Sequence, residues 1–200
     1  MKKEAVETLH AQVHGFLKTR FRRRTVREFE EILVSEFVSV TGGVIAGAIL
    51  AAYLDKIALV PGILILLPGF LEMRGNISGA LAARLSAGLH LGLLDRGNHP
   101  RLLRANVWAA FALSVVVSAI LGVVAYAGTY FFFHMHAPKI ILIAVLASVI
   151  SNVILVPLTT HMTFWLFRHN LDPDNIMGPY ITTVGDIVSI VSLVIAIVVV

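Results

Sequence analysis

Residues 105–133 (ANVWAAFALSVVVSAILGVVAYAGTYFFF) run without one charged side chain. A bilayer crossing takes about 20 apolar residues in a helix, because hydrocarbon offers the backbone no water to bond. This run exceeds that length, and residues 187–200 approach it. The fold class expected is therefore all-α, a polytopic integral membrane protein. The composition agrees, with 58% of residues hydrophobic and 14% charged, against roughly half and a quarter in soluble proteins. No cysteine is present, which removes disulfides, thiolate nucleophiles and thiolate metal sites. The N-terminal residues carry charges throughout and lack a continuous apolar core, so they do not read as a secretory signal.

The net charge of +4 is unevenly placed, with Lys18, Arg20, Arg22, Arg23, Arg24 and Arg27 in one block. With a membrane protein behind it, residues 18–27 are expected to meet anionic lipid headgroups and no nucleic acid. Residues 4–30 read as an amphipathic helix, since Val6, Leu9, Val13, Phe16 and Leu17 fall at helical spacing. Such a helix either lies on the membrane face or packs on the protein's own cytoplasmic side. The chain thus divides into a basic amphipathic cytoplasmic helix, 1–31, and a transmembrane unit, 32–200.

Five crossings are expected. Helix 1 covers about Ile32 to Leu54, with Glu36, Ser39, Gly43 and Gly47 on one stripe. The two glycines permit close helix approach; Glu36, near the cytoplasmic end, either snorkels or contributes to a path. Helix 2 covers about Lys56 to Leu91. At about 1.5 Å per residue it is roughly 50 Å long, too long for a straight crossing. It should be bent, broken or strongly projecting, with Pro61-Gly62, Pro68-Gly69 and Gly75-Asn76 as the places, and a break frees backbone carbonyls. Helix 3, about Ala105 to Phe133, carries a small-residue seam at Ser114, Ser118 and Gly122, with His134 and His136 as interfacial polar residues beyond it. Helix 4, about Lys139 to Phe167, is interrupted by Pro157. Its Asn152 faces a path or bridges two helices, and His161 pairs with Trp165 at the interface. Helix 5 covers about Asn175 to Val200. Arg96, Arg101, Arg104 and Arg168 then share the cytoplasmic side with the basic block, and Lys56 and Lys139 lie opposite, as the positive-inside rule requires. The N-terminus is expected inside the cell membrane and the C-terminus outside it.

Two stretches carry polar groups into these crossings. Residues 68–92 hold Glu72, Arg74, Asn76 and Arg84 among apolar and small residues, and helix 5 holds Asp186 near its middle. An ionised Asp at that depth costs several kcal/mol unless a cation, an Arg or a proton neutralises it. Gly178, Thr182, Asp186 and Ser189 recur at helical offsets on one face, and Thr183 adds a hydroxyl on the next row.

These two stretches resemble the MgtE-type and solute-carrier-41 magnesium transporters. The first match comprises Pro68, Gly75-Asn76, Leu81-Ala82-Ala83-Arg84-Leu85-Ser86 and Gly88; the second is Leu171-Asp172-Pro173 through Thr182-Thr183-Val184-Gly185-Asp186. Asp174 stands where the family has alanine. The resemblance implies that Asp186 is the magnesium residue of a pore. It also implies a single five-helix unit, without the cytoplasmic regulatory domains of bacterial members, that dimerises to form the pore.

Mg²⁺, the transported ion and not a cofactor, prefers oxygen ligands and sheds water reluctantly. Asp186 from each subunit would hold it, Asn76, Thr182 and Thr183 would orient its waters, and a break at Gly75 would supply carbonyls. Mn²⁺, Co²⁺ and Ca²⁺ suit the same donors. Glu72, Ser189 and Glu36 are further pathway candidates. Asp95, Asp172 and Asp174, with Glu28, Glu30 and Glu31 nearby, form a candidate regulatory cation site at the cytoplasmic mouth. Two rival readings are an intramembrane enzyme using Glu72, Asn76 and His90 or His161, and a non-transporting scaffold subunit. No metal triad, paired-carboxylate motif or phosphate loop supports the enzyme.

Overall fold

Apolar runs punctuated by proline and glycine give six helices in the computed structural model, which describes the backbone of residues 2–94 and 100–200 and the side chains of 25–94 and 100–200. They are α1 (Lys2–Ala52), α2 (Leu54–Ala58), α3 (Ile63–His90), α4 (Pro100–Phe133), α5 (Lys139–Arg168) and α6 (Pro173–Val199). The side chains of Lys18 to Arg24, and the whole of Asp95 and Arg96, lie outside the described residues. Among the described residues there is no strand, so the all-helical expectation holds.

Helix α1 runs through the boundary expected at residue 31. It continues from the basic segment into the apolar one without a break, because no proline or glycine lies between Phe16 and Thr41 to interrupt it. The long second helix expected from the sequence is broken, at one of the three expected places. The chain leaves α2, turns through Leu59–Gly62 and re-enters as α3, with Gly62 in the left-handed region (φ +80°) as N-cap. A side chain at Gly62 would collide with Thr129 Oγ1 of α4, so glycine is required twice over.

Beyond that turn α3 continues through Pro68 and through Gly75-Asn76. Asn76 Nδ2 donates to Glu72 Oε1 one turn earlier (3.1 Å), and Met73, Arg74, Ile77 and Ser78 are buried on the other face. The segment is held helical from both sides, and no break frees the Gly75 carbonyl. Pro157 likewise does not end α5.

Among the described residues four helices are long and apolar enough to cross a membrane: Thr25–Ala52 within α1, α4, α5 and α6. The chain is an integral membrane protein. Helix α3 is outside that set because of Glu72, Arg74 and Arg84, yet it packs against α4, α5 and α6 and buries Leu66, Phe70, Leu81 and Leu85. Helix α1 lies along α6.

The small-residue seam of α4 is buried as expected, at Ala110, Ser114, Ser118 and Gly122. A Cβ on Gly122 would meet Ile141 Cα at 2.9 Å, so α4 and α5 touch backbone to backbone there. The α1 stripe is displaced by one residue. Gly42 and Ala46 are buried, whereas Gly43 and Gly47 are exposed, and a Cβ at either would have open space for 4 Å around it. Within the protomer the close approach of α1 to α6 is therefore made at Gly42 and not at Gly43 or Gly47.

Candidate functional site

Helix α6 is set in register at its start. Asp172 is the N-cap and accepts from Asp174 N (3.1 Å), with Pro173 in the first helical position. From there Gly178, Thr182 and Asp186 fall on one stripe, which faces Glu72, Gly75, Asn76 and Gly79 of α3 across a cleft of about 380 Å³. Two carboxylates, from Glu72 and Asp186, thus line one space. With its Nδ2 donated to Glu72, Asn76 keeps Oδ1 as a free acceptor. Thr182 Oγ1 donates to Pro179 O (2.9 Å), so at the 3.1 Å contact with Ser39 it receives a hydrogen bond from α1.

Among the described residues no basic side chain lines this cleft. Like charges in a partly desolvated space repel, and a bound cation relieves them. The donors are all oxygen, the set a hard divalent ion takes. Glu72, Asn76 and Thr182 lie at least partly open to solvent in the protomer and Asp186 is half-buried, so the cleft opens on the protein surface.

Residues 67–196 match the family model MgtE, described as a divalent cation transporter. The chain belongs to the MgtE family of divalent cation transporters. That is a family of transporters and not of enzymes, and the matched span holds every residue that lines the cleft. The chain is also similar to solute carrier family 41 member 2 of Gallus gallus, at 27% identity over 173 residues. The match takes in 80% of this chain and 29% of that relative, so the chain spans under a third of the relative's length. No solved structure matches.

Several of the residues expected at the site do not line this cleft, or line it in another way. Thr183 turns to α1, its Oγ1 donating to Pro179 O (3.0 Å) and Ser39 O (3.3 Å), and its methyl group seats where a side chain at Gly42 would be. It pins α6 to α1 and does not line the cleft. Ser189 falls on the buried stripe of Met177, Ile181 and Gly185, fully enclosed, because three residues beyond Asp186 the helix has rotated inward. Glu36 is exposed on α1 and outside the cleft. Gly75 does line it, as an open stretch of helix surface and not as a carbonyl donor.

Sequence reasoning missed the role of Arg74. It faces away from the cleft, 1% exposed, between α3, α4 and α5. Its Nη1 donates to Asn152 Oδ1 (2.8 Å) and to Ser114 Oγ, and Ser114 in turn shares a hydrogen bond with Ser148 (3.1 Å). Asn152 therefore bridges helices. The signal was one arginine and three small polar residues, spread over the middles of three apolar segments, read separately when they belong together.

At the opposite end of α3, His90 Nε2 lies 3.7 Å from Asp172 Oδ1. One ligand atom each from His90, Asp172 and Asp174 lies within 4.8 Å of the others. Two of the three candidate regulatory aspartates are thus together, joined by a histidine that spacing did not suggest. His136 meets Tyr130 (ring centroids 4.9 Å), and Trp165 stacks on His169 (4.2 Å) instead of pairing with His161.

Proposed function

We propose that this chain carries Mg²⁺ across the cell membrane, through a pathway in which Asp186 sits near the bilayer midplane. Support comes from the cleft: two carboxylates, an amide oxygen and a hydroxyl oxygen, with no cationic side chain among its lining residues. Such donors suit an ion that keeps most of its water, with Asp186 and Glu72 acting on it through charge and Asn76 and Thr182 orienting the waters. The same donors admit Mn²⁺, Co²⁺ and Ca²⁺. In this reading α3 is the fifth crossing, with Arg74 enclosed by its neighbours and Glu72 turned to the cleft. The N-terminal extension, 1–31, and Arg101, Arg104 and Arg168 lie on the cytoplasmic side. Residues 18–27 rest on anionic headgroups.

The pore is a homodimer. The cleft is open in one protomer, and a second copy across a two-fold axis would cover it and bring two Asp186 carboxylates together. Moving two charges through 100 mV supplies about 4.6 kcal/mol, enough to drive entry without a coupled ion. The His90, Asp172 and Asp174 group serves as the cytoplasmic regulatory site, where a bound cation damps transport. The enzyme reading loses its support because neither His90 nor His161 lines the cleft with Glu72 and Asn76.

Mg²⁺ influx into liposomes holding the purified protein tests this, comparing the native chain with Asp186→Asn, with and without an imposed potential. Influx that disappears in the variant is expected. Influx retained in Asp186→Asn removes that residue from the pathway, and no flux of any divalent ion in the native protein favours a scaffold subunit.

A further inference from the structure

Where the small-residue seam between α4 and α5 ends, larger side chains hold the helices apart. Leu103 and Val107 of α4 face Val156, Pro157 and Phe164 of α5 across a groove of about 490 Å³. Arg168 closes one end of it. From Val156 to Arg168 the helix rises roughly 18 Å at about 1.5 Å per residue. That is close to the depth of one leaflet of a hydrocarbon core about 30 Å thick. The groove is therefore mostly apolar over about a leaflet's depth, with Thr160 and His161 as its polar lining, and is basic at the end that Arg168 closes.

The two helices that wall the groove carry charge of one sign. Neither α4 nor α5 contains an Asp or Glu. Arg101 and Arg104 stand exposed at the start of α4, beside Leu103, and Arg168 is exposed at the end of α5. Among the described residues none of the three has an ion-pair partner, in contrast to Arg27, which pairs with Glu31 at 2.9 Å. Trp108 and Trp165 are 69% and 42% exposed just inside these arginines, the position of an interfacial aromatic belt. His161, freed by the stacking of Trp165 on His169, lines the same groove about two turns deeper than Arg168 and offers a ring N–H there.

We infer that this groove binds an anionic phospholipid, with one acyl chain along Leu103, Val107, Val156 and Phe164 and its phosphate at Arg104 and Arg168. Arginines with no ion-pair partner among the described residues attract a phosphate at an interface, and basic pockets between crossing helices are where anionic headgroups lodge. A zwitterionic lipid fills the same apolar walls but brings a positive group to the end that Arg168 already closes. The inference requires membrane insertion and is independent of the cation pathway, since lipid retention is read without flux.

Native mass spectrometry of the delipidated, purified chain is the test, after loading with equal amounts of palmitoyl-oleoyl phosphatidylglycerol and phosphatidylcholine. All proteins compared carry Gln at Arg20, Arg22, Arg23 and Arg24, which silences the other basic surface. Phosphatidylglycerol should be retained in preference. Arg104→Gln and Arg168→Gln should each lower its retention about fivefold, and Arg168→Lys should keep most of it. Val107→Trp, which fills the groove and leaves the arginines, should also lose the bound lipid. Inorganic phosphate at millimolar concentration should not displace it. Equal retention of the two lipids, unchanged retention in Arg104→Gln/Arg168→Gln or in Val107→Trp, or displacement by phosphate alone would each overturn the inference.

Discussion

Arg74 Nη1 and Asn152 Oδ1 meet at 2.8 Å in the interior of the protein, across the contact of α3 with α5. No carboxylate among the described residues joins them. Arg74 Nε and Nη2 and Asn152 Nδ2 find no hydrogen-bond partner among the described residues. Removing the asparagine therefore leaves a buried charge with one acceptor fewer, which costs about 1.5–3 kcal/mol. Asn152→Ala should lower the apparent melting temperature in detergent by several degrees. Arg74→Met, which removes the charge and keeps much of the volume, should be the milder change, because it leaves only the neutral Asn152 and Ser114 groups without a partner, which costs less than a buried charge short of acceptors. The order of the two melting temperatures decides it; Asn152→Ala more stable than Arg74→Met would mean that the bond does little.

The contact of α1 with α6 turns on Gly42 and Thr183. A side chain at 42 would run into the Thr183 methyl group. Gly42→Ala should therefore destabilise, and Thr183→Ser, which deletes that methyl and keeps the hydroxyl bonded to Pro179 O and Ser39 O, should relieve it. A coupling of about 1 kcal/mol between the two is expected, within the usual range for residues in contact. Thermal unfolding of the two single variants and the double measures it. Additive effects would separate the two positions.

These two pairs also show where the sequence was readable. The α4 seam was legible because serine and glycine stood out at a helical interval in an apolar segment. In α1 the sequence pattern marks no face clearly, and in α6 Thr182 and Thr183 are neighbours at the edge of the polar stripe, so the fine rotation rests on which side chain fits against which glycine. That choice separated Gly42 from Gly43 and Thr182 from Thr183. The cleft was legible in its chemistry, through Glu72, Asn76, Thr182 and Asp186, because charged and amide groups are rare at membrane depth. Its backbone was not: Gly75-Asn76 looks like a break until the Asn76 to Glu72 bond holds it helical. Arg74 depended on contacts between residues 40 and 78 positions apart, which no local pattern reports.

The Asn76 to Glu72 bond has its own consequence for the cleft. It fixes the carboxylate of Glu72 beside the space that Asp186 borders. Asn76→Ala should leave maximal Mg²⁺ influx largely intact and raise the half-saturating concentration a few-fold, as expected for loss of one hydrogen bond worth about 1 kcal/mol. Glu72→Gln, which removes charge and keeps the bond geometry, should raise it about tenfold or more, the size of a charge-assisted contact. Concentration dependence of influx into liposomes distinguishes the two. Equal effects would mean that Glu72 acts through position and not through charge.

At the other end of α3, His90, Asp172 and Asp174 are close enough to share one ion. Asp172 also caps α6, accepting from Asp174 N, so its replacement has a structural component that must be separated from cation binding. Asn at position 172 remains a good cap. Asp172→Asn with Asp174→Asn should therefore fold normally and leave influx less inhibited by Mg²⁺ inside the vesicle. His90→Gln, which leaves the cap untouched, should relieve the inhibition more weakly, since magnesium takes oxygen in preference to nitrogen. Influx measured against rising internal Mg²⁺ checks both. Inhibition unchanged in Asp172→Asn/Asp174→Asn would discard the regulatory site and leave these residues as the start of α6.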